Sequence, residues 1–239
     1  LQKPNPLAYP EKSYEDILSF PSGNPVFSPD NWNIRRSEMR EKLEWGLGKT
    51  PPLLLKEPEF EAEPLQVAAL MRRSGAPPTL LKGGVRLSNG THADFYFKEG
   101  ADTGGTNLPV VIWQPGFSVP GGYTCSELRG EPPYFEMALS GFLVMVFDPI
   151  GCGTRIEEAR SFYERYPHWS LLGKMVQDVS LAVDALGRIP FADPKKIYLV
   201  GYDTGGMAAL HAAAMDPGIA GVGSVGGFAP MRINEQSQH

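Results

Sequence analysis

The sequence predicts a protein of the α/β class with a mostly parallel sheet, and two patterns support that prediction. Short, continuous apolar runs recur in the second half of the chain, at 109–113, 141–147, 196–200 and 218–225. Helical patterns separate these runs, including an apolar periodicity at 170–186 that ends before Gly187 and a small-residue segment at 206–214. Apolar strands that alternate with helices are typical of a parallel sheet that is buried on both faces.

An antiparallel hairpin precedes these strands. Extended patterns at 80–87 and 93–98 flank Asn89-Gly90, which is a strong short-range hairpin signal. Upstream we expect a helix at 30–47, capped by Asp30 or Asn31, and a short helix at 64–73. The chain therefore divides into residues 1–76, an arm with helices packed on the core, and residues 77–239, the core itself.

Composition narrows the classes of function. The chain has 239 residues, of which 42% are hydrophobic, which is enough for one sizeable core. A net charge of −5, with scattered Lys and Arg, predicts no nucleic-acid or anionic-membrane partner and favours a small-molecule substrate. The apolar runs are far shorter than the roughly 20 residues of a membrane-spanning helix. Cys125 and Cys152 could form one disulfide or remain buried thiols.

The most informative segment is Val200-Gly201-Tyr202-Asp203-Thr204-Gly205-Gly206. An apolar strand runs here into small residues and then a helix, which is the context of a nucleophile elbow, G-x-Nuc-x-G. Gly201 and Gly205 leave room for the sharp turn, and Asp203 stands at the nucleophile position. The alternative is that Asp203 only caps the helix after an ordinary βα turn.

A second segment supports the catalytic interpretation. Pro115-Gly116-Phe117 directly follows the strand at 109–113, where a backbone N–H could be offered to a developing oxyanion. We predict that the backbone N–H groups of Phe117 and Thr204 are the two oxyanion donors. An ordinary Pro-Gly turn is the alternative.

These segments resemble the α/β-hydrolase superfamily, in particular its secreted or periplasmic esterase-like branch, which includes acetyl xylan esterases, dienelactone hydrolases and prolyl oligopeptidases. The resemblance covers 109–232 and rests on 115–122, on Asp148-Pro149-Ile150-Gly151-Cys152-Gly153-Thr154-Arg155, and on Asp193-Pro194-Lys195-Lys196-Ile197 before the elbow. It implies an α/β-hydrolase fold, a covalent intermediate, an ester-like substrate that includes carbohydrate-linked esters, no cofactor, and a secreted or periplasmic location.

The sequence departs from that branch at the nucleophile, because Asp203 stands where Ser is expected. A carboxylate that attacks a saturated carbon forms an alkyl ester that water can hydrolyse, whereas attack on an ester carbonyl forms an anhydride. The segment thus also resembles the elbows of haloalkane dehalogenases and epoxide hydrolases. Both chemistries remain open, as does a non-catalytic binding or assembly module of the same fold.

A second departure concerns the general base. A full fold of this kind continues for two strands after 218–225 and supplies a His there, so we expect the chain as given to lack the last strands. His92, His168 and His211 do not lie where the base belongs, and His239 receives no role. We expect a C-terminal segment, a second chain or another copy to cover strand 218–225, whose free edge would otherwise favour aggregation. Glu235 is a candidate acid.

Two further candidates are weaker. Four alternating acidic residues at 57, 59, 61 and 63 lack His or Cys companions, so they indicate a solvated face rather than a metal site. Arg155 could orient an anionic substrate at the mouth of the site or form a surface ion pair.

Overall fold

The computed structural model describes residues 17–61, 65–68, 79–101, 105, 107–117, 121–124 and 132–228. They form one eight-stranded mixed sheet in the order β1-β3-β4-β6-β5-β7-β8, with β2 also paired to β3. The strands are β1 Glu59–Phe60, β2 Leu65–Ala68, β3 Thr79–Arg86, β4 His92–Lys98, β5 Leu108–Gln114, β6 Leu143–Val146, β7 Ala192–Tyr202 and β8 Gly221–Val225.

The sheet has a parallel part and an antiparallel part. β5 lies between β6 and β7 and is parallel to both, and β8 is parallel to β7. β3 and β4 form the predicted antiparallel hairpin, which joins the sheet through β4 and β6. The predicted α/β architecture with a leading hairpin is confirmed. The division into residues 1–76 and 77–239 stays a prediction, and β1 and β2 of the first part extend the sheet.

Six α-helices accompany the strands in the described part of the chain: α1 Pro29–Leu47, α2 Pro133–Leu139, α3 Ile156–Arg160, α4 Phe162–Arg165, α5 Leu171–Leu186 and α6 Thr204–Met215. None of them is long and apolar enough to cross a membrane. The cap of α1 is Ser28 rather than Asp30 or Asn31, since its Oγ accepts from the Asn31 N–H at 3.1 Å. Ser170 caps α5 in the same way, through the Gly173 N–H at 2.9 Å.

The short helix predicted at 64–73 is wrong where the structure describes it. Residues Leu65–Ala68 are strand β2 and pair antiparallel with β3 from Lys82 to Thr79. A neighbouring strand satisfies these backbone groups in place of a helical turn. The remainder of that segment lies outside the described residues.

The core has two layers, one on each face of the sheet. Alternate residues of β5 point to opposite faces: Val110 and Ile112 join α5 and α6, while Val111 and Trp113 face α2. Because both faces are covered, the strand has no polar face. This is the physical reason for the continuous apolar runs in the sequence.

The register brings the carboxyl ends of the parallel strands to one edge of the sheet. Gln114 of β5 lies opposite Gly201, and Val225 of β8 lies opposite Tyr202. On the other side of β5, Val146 of β6 lies opposite Trp113. The segments that follow these strands therefore emerge side by side, at the edge where open α/β sheets bind ligands.

Candidate active site

Asp203 occupies a strained turn between β7 and α6. Its backbone has φ 50° and ψ −122°, and it is the only non-glycine residue with positive φ in the described part of the chain. Holding an L residue there costs about 1–3 kcal/mol, which persists only where the surroundings enforce it. The predicted strand–turn–helix geometry of the elbow is therefore present.

Glycines enforce this turn by close backbone contact. A β-carbon on Gly201 would lie 2.4 Å from the Gly205 carbonyl oxygen, and one on Gly205 would lie 2.2 Å from that of Gln114. A β-carbon on Gly227 would lie 2.6 Å from the Asp203 carbonyl oxygen. No side chain fits at these positions, so the elbow is packed directly against the end of β5 and the segment after β8.

The carboxylate of Asp203 is exposed. Although the residue stands at the N-cap position of α6, its side chain makes no capping hydrogen bond. Instead the Thr204 hydroxyl donates to Asp203 Oδ2 at 3.0 Å. The helix-cap alternative thus lacks the hydrogen bond on which it depends, and the carboxylate is accessible to a reactant at the positive end of a helix dipole.

The two expected oxyanion donors flank this carboxylate. A β-carbon on Gly116 would lie 3.0 Å from the Tyr202 ring and 3.5 Å from Asp203 Cβ, so the turn that carries Phe117 is packed against the elbow. Thr204 begins α6, and the first N–H groups of a helix have no partner within it. The role of both groups as oxyanion donors stays a prediction.

Contacts of the described histidines are with other parts of the fold, through the side chain for His92 and His211 and through the backbone carbonyl for His168. His92 Nε2 lies 3.1 Å from Asp94 Oδ1 on β4, and the His168 carbonyl accepts from the Lys49 N–H at 2.7 Å. His211 Nδ1 lies 2.7 Å from the Met207 carbonyl oxygen on α6. His239 and Glu235 lie outside the described residues.

Asp148, which follows β6, organises the neighbouring loop. Its carboxylate accepts from the Tyr123 N–H, the Thr154 N–H and the Thr154 hydroxyl, each at 2.8 Å. β-Carbons on Gly122 and Gly153 would lie 2.2 and 2.3 Å from Asp148 Oδ1 and Oδ2, respectively. The Asp148–Gly153 segment of the sequence is therefore a loop built around one buried carboxylate.

The position expected for Arg155, at the mouth of the site or in a surface ion pair, is wrong, because its side chain is buried. Its side chain is 7% exposed and pairs with Asp178 at 2.8 Å and Glu158 at 2.7 Å. Burial alone would lower the pKa of Arg155, but the two carboxylates outweigh it and raise the pKa above its ordinary value. Asp178 was not among the residues predicted from the sequence, although Lys174 and Asp178, four residues apart, interrupt the apolar face of α5.

A second buried polar group anchors the turn at Gly122–Thr124. The Tyr123 hydroxyl donates to Asp94 and lies 3.2 Å from the Tyr96 hydroxyl, while Lys82 pairs with Asp94 at 2.8 Å. Burial and the hydrogen bond to Asp94 raise the pKa of Tyr123 above its ordinary value. The phenol therefore stays protonated and serves as a donor.

Other features of the described residues lie away from the elbow. A cavity of about 420 Å³ lies between α1, α5 and α6, and none of the elbow residues lines it. No group of three or more His, Cys, Asp and Glu side chains is arranged to hold a metal ion in the part of the chain described. Glu57 and Glu59 pair with Arg188 and Arg86 instead. Cys152 is fully buried, and Cys125 lies outside the described residues.

Comparison with known proteins places the fold among the α/β hydrolases. No family model matches the chain. A thiohydrolase, apmlB of Arthrinium phaeospermum, is 34% identical over 113 residues, which cover 46% of this chain and 32% of that protein. The glucuronoyl esterase of Solibacter usitatus aligns with a TM-score of 0.61 and 17% identity, over 90% of this chain and 64% of that one.

A carbohydrate esterase family 15 glucuronoyl esterase from Caldicellulosiruptor kristjansonii gives a similar result. It aligns with a TM-score of 0.52 and 21% identity, over 87% of this chain and 54% of that one. The chain thus spans less than two thirds of the length of each of these proteins. At such identities the likeness concerns the fold, and the chain has the α/β-hydrolase fold.

Proposed function

We propose that this chain is the core of a hydrolase that forms a covalent intermediate on Asp203 and acts on an ester-like substrate, carbohydrate-linked esters included. The observation that supports this most directly is the exposed carboxylate of Asp203 on a strained turn, with no capping hydrogen bond. Similar proteins named as glucuronoyl esterases and a thiohydrolase support ester or thioester chemistry.

In the proposed reaction, an Asp203 carboxylate oxygen attacks the acyl carbon while the Phe117 and Thr204 N–H groups bind the oxyanion. The bond from the acyl carbon to the leaving oxygen breaks, and the alcohol departs with a proton from water. Water then hydrolyses the mixed anhydride and regenerates the carboxylate. The Thr204 hydroxyl, which donates to Asp203 Oδ2, leaves Oδ1 as the attacking atom.

A second reaction route is also proposed, because a carboxylate is suited to attack on a saturated carbon. Attack on a saturated carbon would open an epoxide or displace a halide and leave an alkyl ester on Asp203. Water that attacks the carboxyl carbon would release the alcohol and leave its own oxygen in Asp203. The two routes therefore differ in the intermediate and in the position of the water oxygen.

We place the water-activating His outside the described residues, on a segment or chain that covers β8. Strand β8 pairs with β7 on one side, and its Val222 and Val225 side chains are 41% and 56% exposed. An occupant of that edge would stand beside the elbow, because the Asp203 N–H donates to the Val225 carbonyl at 2.8 Å. A secreted or periplasmic location stays a prediction.

Peptide mass spectrometry tests the proposal. The chain is incubated in ¹⁸O-labelled water with p-nitrophenyl acetate, phenyl glycidyl ether or 1-bromobutane, and the elbow peptide is sequenced. We expect an adduct or heavy oxygen at Asp203 and none at Asp216, a carboxylate at the other end of α6. If the protein tested lacks the water-activating His, an alkyl ester on Asp203 should accumulate, because its hydrolysis is then slow.

The Asp203→Asn variant is the control, since it keeps the shape and removes the nucleophile. It should carry no adduct under any condition. Asp203 that carries neither an adduct nor heavy oxygen with any of the three reagents, including samples acid-quenched during turnover of p-nitrophenyl acetate to retain an acyl adduct, would overturn the covalent mechanism. Labelling that persists in Asp203→Asn would overturn it as well. The chain would then be better explained as a binding module.

A further inference from the structure

A buried charge cluster joins three parts of the fold next to the candidate site. Asp178 of α5 is 1% exposed and accepts from Asn89 at 2.7 Å and from Thr91 at 3.1 Å, both in the hairpin turn. It also pairs with Arg155 at 2.8 Å and with Lys174 of its own helix. We call these residues, together with Glu158, the Asp178 cluster.

The cluster is balanced in charge. Arg155 and Lys174 provide two positive charges, and Asp178 and Glu158 provide two negative charges. Burial alone would raise the pKa of Asp178, but the adjacent cations hold it below its ordinary value, so the carboxylate stays ionised. Because a buried ion pair gains little net stability over apolar packing, its main effect here is on geometry.

Arg155 connects Asp178 to the loop beside the elbow. The same Nη1 that pairs with Asp178 donates to the Asp148 carbonyl at 2.9 Å. The Arg155 carbonyl in turn accepts from the Gly151 N–H at 3.1 Å. A β-carbon on Gly151 would lie 3.5 Å from the Phe117 ring, so this loop lies next to Phe117, which is 59% exposed and whose N–H is one expected oxyanion donor.

We propose that Asp178 is a positioning residue for the site: through Arg155 it fixes the loop at 148–155, against which Phe117 packs beside Asp203. The inference rests on the proposed function and adds to it a residue that touches no substrate. Asp178 differs from the catalytic groups because Arg155 lies between it and the loop beside the elbow. Small displacements of a donor or nucleophile are costly to a reaction, so a loosened loop should slow the chemical step more than binding.

The experiment compares Asp178→Asn with a matched control, Asp184→Asn, which removes an exposed carboxylate from the same helix. The first readout is hydrogen exchange of the peptide at 147–156, which we expect to be roughly tenfold faster or more in Asp178→Asn. The second is the rate of Asp203 alkylation by phenyl glycidyl ether. We expect the maximal rate to fall roughly tenfold while the half-saturating concentration stays unchanged.

Arg155→Lys gives a second test if Asp178→Asn does not fold. This variant keeps the charge balance but lacks the planar fork that contacts Asp178, Glu158 and the Asp148 carbonyl together. It should speed exchange at 147–156 while exchange in α6 stays as in the parent chain. Exchange at 147–156 equal to that of Asp184→Asn, or accelerated equally throughout the chain, would overturn the proposal.

The two proposals fail in different ways. If Asp203 takes no adduct in the parent chain, the covalent mechanism fails, and loop exchange alone decides whether Asp178 positions the loop. If the parent chain reacts and Asp178→Asn reacts at the same maximal rate, the positioning role fails while the mechanism stands.

Discussion

Replacing Asp203 by glycine should stabilise the fold while abolishing the proposed chemistry. At φ 50° and ψ −122° the β-carbon of Asp203 is strained, and glycine adopts this region without that cost. Removing this backbone strain should stabilise the folded state by about 1–3 kcal/mol. The greater conformational entropy of glycine in the unfolded chain offsets about 0.4–1 kcal/mol of that gain. We therefore expect the free energy of unfolding to rise by about 0–2.6 kcal/mol, the span of the difference between these two ranges.

Urea unfolding measures this change directly. The midpoint should increase at an unchanged m-value, because the buried surface stays the same. In a thermal scan, each 1 kcal/mol corresponds to about 2–4 °C for a domain of this size. Reaction with phenyl glycidyl ether should be lost at the same time, as expected where a strained residue serves function rather than stability.

Asp203→Ala separates strain from charge in this experiment. Alanine removes the carboxylate but keeps the β-carbon, so the stability of Asp203→Ala should stay near that of the parent chain. If Asp203→Gly is no more stable than Asp203→Ala, the elbow does not store strain in the backbone of Asp203. That result would refute the reasoning even if the chemistry is lost in both variants.

Two further predictions concern packing and pH. Gly205→Ala should destabilise the fold by about 1–3 kcal/mol or more, since its β-carbon would lie 2.2 Å from the Gln114 carbonyl oxygen; urea midpoints report the loss. Asp178→Asn should cost about 3–5 kcal/mol at neutral pH, because it leaves the two buried cations Arg155 and Lys174 with only Glu158 to balance them. The folded-state pKa of Asp178 is depressed, so its contribution is present above the ordinary Asp pKa of about 3.9 and is lost as pH falls below it. The difference in the free energy of unfolding between the parent chain and Asp178→Asn should therefore shrink from pH 5 to pH 3.

Each of these predictions has a control within the chain. A β-carbon on Gly46 of α1 meets no heavy atom within 4 Å, so Gly46→Ala should gain up to about 1 kcal/mol from helix propensity. Equal effects of the two glycine substitutions would contradict the packing argument. A pH-independent gap between the parent chain and Asp178→Asn would show that the lost charge is not what destabilises the variant.

The turn between β7 and α6 could be predicted from sequence because it depends on residues that are neighbours in the chain. A β-branched strand followed by small residues leaves few conformations, and the glycines at 201 and 205 are the residues that a backbone-on-backbone contact requires. The continuous apolar runs likewise predicted β5 and β7, because a strand covered on both faces has no polar side. These features depend on residues that are close in the chain.

Segments whose partners are distant in sequence were predicted less well. Residues 64–73 have helical propensity, yet Leu65–Ala68 form β2 because an edge of β3 is available to pair with them. The position of β5 between β6 and β7 is also a tertiary outcome, since no local pattern orders strands within a sheet. Propensity is a weak prior that such pairing overrides.

The sequence by itself determined the fold class, the hairpin and the position of the sharp turn that holds Asp203. Only the tertiary structure decided what surrounds that residue: that the Asp203 carboxylate is exposed and makes no cap, and that Arg155 is held by Asp178, which is 23 residues away. Strand and turn signals arise from short-range sterics and burial, which a single segment records. The burial and charge of a side chain are set by partners that only folding brings into contact.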